Sequence, residues 1–309
     1  MTLRLGTRGS ALALAQSTTI AEAIRTRLDR EVELVEIVTS GDRSSAPIAQ
    51  LGVGVFVSAL RDALNAKEID LAVHSFKDLP TRPAEGLVVA AVPPRQDPRD
   101  ALVARDGLTL NELPAGAKIG TGALRRIAQL NALGRRLVPV PVRGNVDTRL
   151  RKLAEGEFDA IVLARAGLAR LGRAGEATEI LDPLLMLPAP AQGALAVECR
   201  ADDDELRGVL AALDDQDTRA AVTAERALLA ELEAGCSAPI AALAEVAEGD
   251  HGPEIYLRGA AFSPDGSVSI RLSRTGTLAN AAEMGRALAR DLRDEGADTA
   301  LGVQHDPHP

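Results

Sequence analysis

Leu187-Pro188-Ala189-Pro190-Ala191-Gln192-Gly193-Ala194-Leu195-Ala196-Val197-Glu198-Cys199 is a proline-rich break followed by an apolar run with the length and composition of a buried strand. No strand signal adjoins it in the chain, so its partners must come from further away. Two earlier segments have the strand and helix alternation that builds sheets. The first is read as a strand over 3–7, a helix over 10–28 with Ser10 as N-cap, a strand over 32–39, a helix over 55–66, and strands over 69–74 and 87–92. Pro93-Pro94 ends it. The second is read as strands over 101–104 and 118–120, a helix over 123–133, a strand over 137–142, a helix over 146–153 and a strand over 160–163. Such alternation builds parallel or mixed sheets with helices on their faces, the α/β class. The run 193–199 is therefore predicted to return to the first sheet. Beyond it, a long helix over 217–234, alternating runs near Ala238, Ile255 and Val268, and a final helix over 278–292 predict a smaller α+β domain.

The chain has 309 residues, 46% of them hydrophobic, which is long for one core and predicts more than one domain. No stretch approaches the apolar length of a membrane span. The start, Thr2 into Leu3-Arg4-Leu5, lacks the layout of a signal peptide, so the protein is expected to be soluble and intracellular, with no membrane partner. Net charge is −9 and aromatic content 2% with no Trp, which disfavours nucleic acid as a partner. The 2 cysteines form no CxxC, and no metal site is expected; His305 and His308 read as part of a polar tail. A metalloenzyme reading lacks ligand spacing.

The two cysteines differ in setting. Cys199 ends the apolar run and reads as strand packing, whereas Cys236, in Glu233-Ala234-Gly235-Cys236-Ser237-Ala238-Pro239-Ile240, sits in a turn that presents its sulfur. A presented lone thiol is a candidate covalent attachment point. Arginines recur at strand-to-helix turns: Thr7-Arg8-Gly9-Ser10, Gly120-Thr121-Gly122-Ala123-Leu124-Arg125-Arg126, Arg143-Gly144-Asn145-Val146-Asp147-Thr148-Arg149, and Arg165 to Arg170. Arginines in the first turn oppose the helix dipole, and an anion nearby removes that conflict. Any single motif reads equally well as solvated surface. Several together in an acidic protein point to a cleft for a small molecule rich in carboxylates or phosphates. Ala72-Val73-His74-Ser75-Phe76-Lys77-Asp78-Leu79-Pro80 places functional side chains at a strand end, where α/β proteins keep their chemistry, although by position alone Lys77 and Asp78 read as an ordinary solvated pair. There His74 reads as an interior residue, and Asp97-Pro98-Arg99-Asp100 reads as a turn with a local ion pair.

With these segments in order, the chain resembles the hydroxymethylbilane synthase (porphobilinogen deaminase) family over nearly its whole length, from Thr7-Arg8-Gly9-Ser10 to the Cys236 loop. The resemblance implies two periplasmic-binding-protein-like mixed-sheet domains joined by a double crossover, at 1–93 with 193–212 and at 98–188, and a smaller α+β domain at 216–309. It implies a cytoplasmic, monomeric transferase that condenses four porphobilinogen molecules head to tail, with loss of ammonia, and releases hydroxymethylbilane for hand-over to uroporphyrinogen-III synthase. The implied cofactor is dipyrromethane, held by Cys236 through a thioether. Asp78 matches the catalytic carboxylate that steadies the azafulvenium cation left as ammonia departs. Lys77, Asp78, Thr121, Arg125 and Arg126 match cofactor-binding positions, and Arg8, Ser10, Arg143, Arg149, Arg170 and Gln192 match substrate-binding positions. Two departures stand out: Val53 and Ser58 occupy lysine positions of a lid that many relatives have, and Thr121-Gly122-Ala123 replaces a Thr-Ser-Ser turn. The alternative from another class is a non-catalytic anion-binding module of periplasmic-binding-protein type.

Overall fold

In a computed structural model of the chain, residues 2–37, 55–232, 238–250 and 252–302 are described. Cys236, residues 40–47, Val53, His305 and His308 lie outside the described residues. The chain divides into two units, one made of residues 1–96 and 193–219, the other of residues 97–192 and 220–309.

The first unit is built on five strands: β1 (Leu3–Thr7), β2 (Val32–Glu36), β3 (Leu71–Ser75), β4 (Leu87–Ala91) and β10 (Leu195–Arg200), in the order β2-β1-β3-β10-β4. β1 runs parallel to β2 and β3, while β10 lies antiparallel between β3 and β4. The expected return of 193–199 to the first sheet is thus what occurs. Alternation along β3 decides which helix covers which face. Leu71 and Val73 point to α1 (Ala11–Leu28) and its Ile20 and Ile24, whereas Ala72 joins Leu60 and Leu64 of α2 (Val55–Asn65). Cys199 belongs to the α1 side, fully buried, and burial pushes its thiol up to about 11. His74 is interior as predicted, 5% exposed, with Nε2 3.1 Å from Glu198, which also takes Arg61 at 2.8 Å.

The second unit holds a five-stranded sheet made of β5 (Asp100–Ala104), β6 (Lys118–Gly120), β7 (Val138–Val140), β8 (Ala160–Ala164) and β9 (Glu179–Ile180), in the order β7-β6-β8-β5-β9. It is also mixed: β6 is parallel to β7 and β8, and β5 is antiparallel to β8 and β9. Helices α3 (Leu124–Ala132), α4 (Val146–Ala154) and α5 (Arg165–Arg170) follow β6, β7 and β8 respectively. A short helix, α6 (Asp204–Leu210), follows β10 in the first unit, and α7 (Gln216–Glu231) leads back into the second. There a three-stranded antiparallel sheet, β11 (Ile240–Gly249), β12 (Gly252–Phe262) and β13 (Ser269–Thr277), packs against α7 and α8 (Ala281–Asp294) through Leu228, Leu257, Leu288 and Leu292. The sheet also touches α3. Ala128 and Leu187 share an apolar cluster with Ala241, Leu243, Ala260 and Phe262. The turn between β12 and β13 is seated there by Gly266, at φ +75°, where a Cβ would lie 2.8 Å from the Ala132 nitrogen. Arg271 adds hydrogen bonds to the Leu184 carbonyl at 3.1 Å and to Gln129 at 3.2 Å, with its guanidinium over the Phe262 ring.

Candidate functional site

In the first unit, β3 runs directly into a single turn of 3-10 helix at Phe76–Asp78. Phe76 and Leu79 are buried and anchor the turn, and the Phe76 N–H donates to the Ala194 carbonyl at the entrance to β10. With those two side chains inward, Asp78 is exposed and Lys77 half-buried. Behind the turn, the Gln16 amide donates to the Ser75 hydroxyl at 2.8 Å, fixing the strand end to α1. Ser10 is the N-cap of α1, its hydroxyl accepting the Ala13 N–H at 3.3 Å. Arg8 is half-buried at the end of β1. One end of the sheet therefore carries Arg8, Ser10, Lys77 and Asp78.

The second unit carries the other arginines, and they fall into two groups. Arg125 and Arg126, in the first turn of α3, are buried, and both bind Asp100, the first residue of β5, at 2.7 Å. Arg125 also donates to the Leu187 carbonyl at 2.9 Å and to Gln192 at 3.2 Å, and Arg126 donates to the Val162 carbonyl at 2.8 Å. Burial by itself would raise the pKa of Asp100, but the two guanidinium groups hold it well below the usual carboxylate range. The anion that the first-turn arginines require is thus supplied by the protein. The motif 97–100 was read as a turn with a local ion pair; Arg99 does pair with Asp97 at 2.7 Å, but Asp100 leaves the turn and serves the arginines instead. Gln192 and Thr121 are fully enclosed as well. The Gln192 amide donates to the Pro98 carbonyl at 2.7 Å and to Asp100 at 2.8 Å, while the Thr121 hydroxyl accepts the Ala123 N–H at 3.4 Å.

Arg149 and Arg170 form the second group. Arg149 is half-buried; its Nε donates to the Gly144 carbonyl at 2.9 Å, and among the described residues no carboxylate lies within ion-pair distance of it. Burial and the charge of Arg126 push its pKa down to about 10. Burial does the same to Arg170, also to about 10. Both stay protonated at neutral pH, as cations in poorly solvated positions. Arg143 is exposed beside them in the sequence. Among the described residues, the Nε–H groups of Arg125 and Arg126 are buried and meet no hydrogen-bond acceptor, a deficit of about 1–3 kcal/mol each unless a further oxygen meets them. This donor set fits a group with several carboxylates. Asp100 is the member that pattern reading missed; the adjacency of two first-turn arginines was its one signal.

The first unit is thus an α/β sheet with an exposed aspartate after a buried strand, and the second an α/β sheet with arginines at its strand ends. The family description "Porphobilinogen deaminase, dipyromethane cofactor binding domain" matches residues 3–208, and "Porphobilinogen deaminase, C-terminal domain" matches residues 219–294. The chain is 61% identical over 304 residues to a porphobilinogen deaminase of Nocardia farcinica, covering 97% of this chain and 88% of that one. It is 58% identical over 309 residues to one of Mycobacterium bovis, covering 98% and 100% respectively. The chain belongs to the porphobilinogen deaminase family. Among solved structures, the methionine binding protein MetQ matches with a TM-score of 0.45 at 13% identity, covering 69% of this chain and 89% of that one, a likeness too slight to bear on function. No helix among the described residues is long and apolar enough to cross a membrane.

Proposed function

We propose that this chain deaminates porphobilinogen, joins four molecules head to tail on a dipyrromethane primer carried by Cys236 through a thioether, and releases hydroxymethylbilane by hydrolysis, water supplying the product's hydroxyl while the primer stays attached. The observation that carries the reading is family membership over nearly the whole chain together with Asp78 exposed at the end of a buried strand. The residues of the second unit suit the primer, because the Nε–H groups of Arg125 and Arg126, which meet no acceptor among the described residues, and the poorly solvated cation of Arg149 call for carboxylates. When bound, the primer supplies a nucleophilic pyrrole carbon and the acidic side chains by which the growing polymer is held.

The protein's own residues do the rest. As the C–N bond of the aminomethyl group breaks and ammonia leaves, porphobilinogen becomes a delocalised cation, and the Asp78 carboxylate beside its pyrrole N–H lowers the energy of that charge. The same carboxylate is of a type that accepts the proton released when the new C–C bond restores the aromatic ring. Arg8 and Ser10 bind the acetate and propionate groups of the incoming unit, and Lys77 those of the primer. Arg149, Arg170 and the exposed Arg143 bind those of the polymer, and Thr121 supports the turn that bears Arg125 and Arg126. Gln192, matched to a substrate position by resemblance, acts on the substrate through Arg125, since its amide is enclosed. The same reading divides the chain into three domains, at 1–93 with 193–212, at 98–188 and at 216–309, and makes it a cytoplasmic monomer that hands its product to uroporphyrinogen-III synthase.

An intact mass spectrum of freshly prepared, denatured protein tests the reading. The expected result is the chain mass plus a dipyrrole adduct that maps to Cys236. A plain chain mass with tight binding of carboxylates would favour a non-catalytic anion-binding module. Asp78→Asn should keep the adduct and the fold while turnover falls by about 10²–10³; near-normal turnover would remove Asp78 from the chemistry.

A further inference from the structure

The second crossover is gripped by a buried carboxylate that has no place in the chemistry above. Glu225, in α7, is fully buried; one of its oxygens accepts the Ala191 N–H at 2.5 Å and the other accepts the Ala244 N–H of β11 at 2.8 Å. Ala191 is itself fully buried and sits at φ +60°, the left-handed region that a residue with a Cβ occupies only when its surroundings impose it. The next residue is Gln192. Its side chain bridges the Pro98 carbonyl, Asp100 and Arg125 at 2.7, 2.8 and 3.2 Å. A continuous line of contacts thus runs from Glu225 through the Ala191 backbone and the Gln192 amide to the carboxylate and guanidinium groups of the arginine pair.

We propose that Glu225 is a positioning residue for porphobilinogen condensation: by fixing the backbone at Ala191 it aims Gln192, and through Gln192 it sets Arg125 and Asp100. The inference rests on the function proposed above. The chemistry of the side chain explains why a carboxylate stands there. It offers an acceptor oxygen to each of two N–H groups, whereas an amide of the same shape offers one acceptor and turns a donor toward the other. Glu225→Gln therefore keeps the volume while releasing one N–H, and either release loosens the link between α7 and the crossover.

The test is a double-mutant cycle on the full-length, adduct-bearing enzyme, with Glu225→Gln, Gln192→Ala and the pair. Porphobilinogen consumption is measured well below each variant's unfolding midpoint and counted per adduct-bearing molecule, so that loss of folded protein alone does not move it. Glu225→Gln is expected to lower kcat/KM at least about tenfold, and the double variant should stay within about twofold of the worse single variant, because both changes break one line of contacts. Effects that multiply, or a Glu225→Gln enzyme within about twofold of wild type, would overturn the proposal. If Glu225→Gln does not fold, Glu225→Asp, which keeps the charge on a shorter stem, runs the same cycle with the same expectation. Wild-type turnover in the same assay separates the two claims: with it present, multiplicative effects sink the role of Glu225 alone.

Discussion

Asp100→Asn puts the arrangement of the second unit under direct strain. Asp100 is fully buried; Oδ2 takes Arg125 and Oδ1 takes Arg126, each at 2.7 Å, and Gln192 donates to Oδ1 at 2.8 Å. Asparagine fills the same space, but it replaces an acceptor by an N–H donor and removes the charge that two buried guanidinium groups share. Removing one partner of a buried ion pair costs about 3–5 kcal/mol, and at about 2–4 °C per kcal/mol for a unit of this size the unfolding midpoint should fall by about 6–20 °C. The pH dependence follows from the direction of the shift. Burial favours the neutral acid, but Arg125 and Arg126 win, so the folded state holds this carboxyl below its unfolded value. The stabilisation is then complete at any pH above the ordinary carboxylate range and is lost only as pH falls through the depressed folded value. Calorimetry of wild type and variant should therefore show a gap that is constant from about pH 5 to about pH 9. A midpoint shift under about 2 °C would show that Asp100 is not the counter-ion of the pair.

Arg149→Leu removes a half-buried cation that has no carboxylate at ion-pair distance among the described residues, so stability should change by no more than about 1 kcal/mol while elongation slows at least about tenfold. Normal elongation intermediates on a native gel would count against it. Gly266→Ala should cost about 1–3 kcal/mol in chemical denaturation, because φ there is +75° and the new methyl group meets the backbone of α3. An unchanged midpoint would mean that the β12–β13 turn is not seated on that helix. Because Arg149 and Arg170 are held at about 10, KM for porphobilinogen should be flat through neutral pH and rise as pH passes about 10, where the two cations are lost. A KM unmoved across that range would place the binding charge elsewhere.

The fold was legible where a short pattern determined it. The run 193–199 is apolar apart from Glu198, so it needs cover on both faces and neighbours on both edges; its place between β3 and β4 meets that need, and Arg61 and His74 partner the one carboxylate. The helices α5 and α6 are too short, at 6 and 7 residues, for periodicity to mark them. The strand end before Asp78 was legible, but position alone left Lys77 and Asp78 as a solvated pair, and the burial of Phe76 and Leu79 on either side appears only in the folded chain. The partner of Arg125 and Arg126 did not, because it depends on a pairing that no local pattern encodes: Asp100 reaches them only once β5 has taken its place beside β8. Glu225 was hidden for a related reason. On a helix with regular apolar spacing, an acidic residue reads as part of the solvated face until the crossover and β11 close over it.

Charge explains why the second unit needs both groups of arginines. A protein of net charge −9 repels a polycarboxylate at long range, so attraction must come from cations within about a Debye length, roughly 8–10 Å, in positions that water screens poorly. Bringing such cations together is itself unfavourable, as the lowering of Arg149 by the charge of Arg126 records. Asp100 relieves that repulsion by only half, since one carboxylate faces two guanidinium groups, and the remaining positive charge stays beside Arg149. A second internal carboxylate would stabilise the empty protein further and remove the field that favours a bound acid. The buried pair thus keeps the unit folded, and on the function proposed above its incomplete neutralisation gives Arg149 the surroundings in which a substrate carboxylate would be worth most.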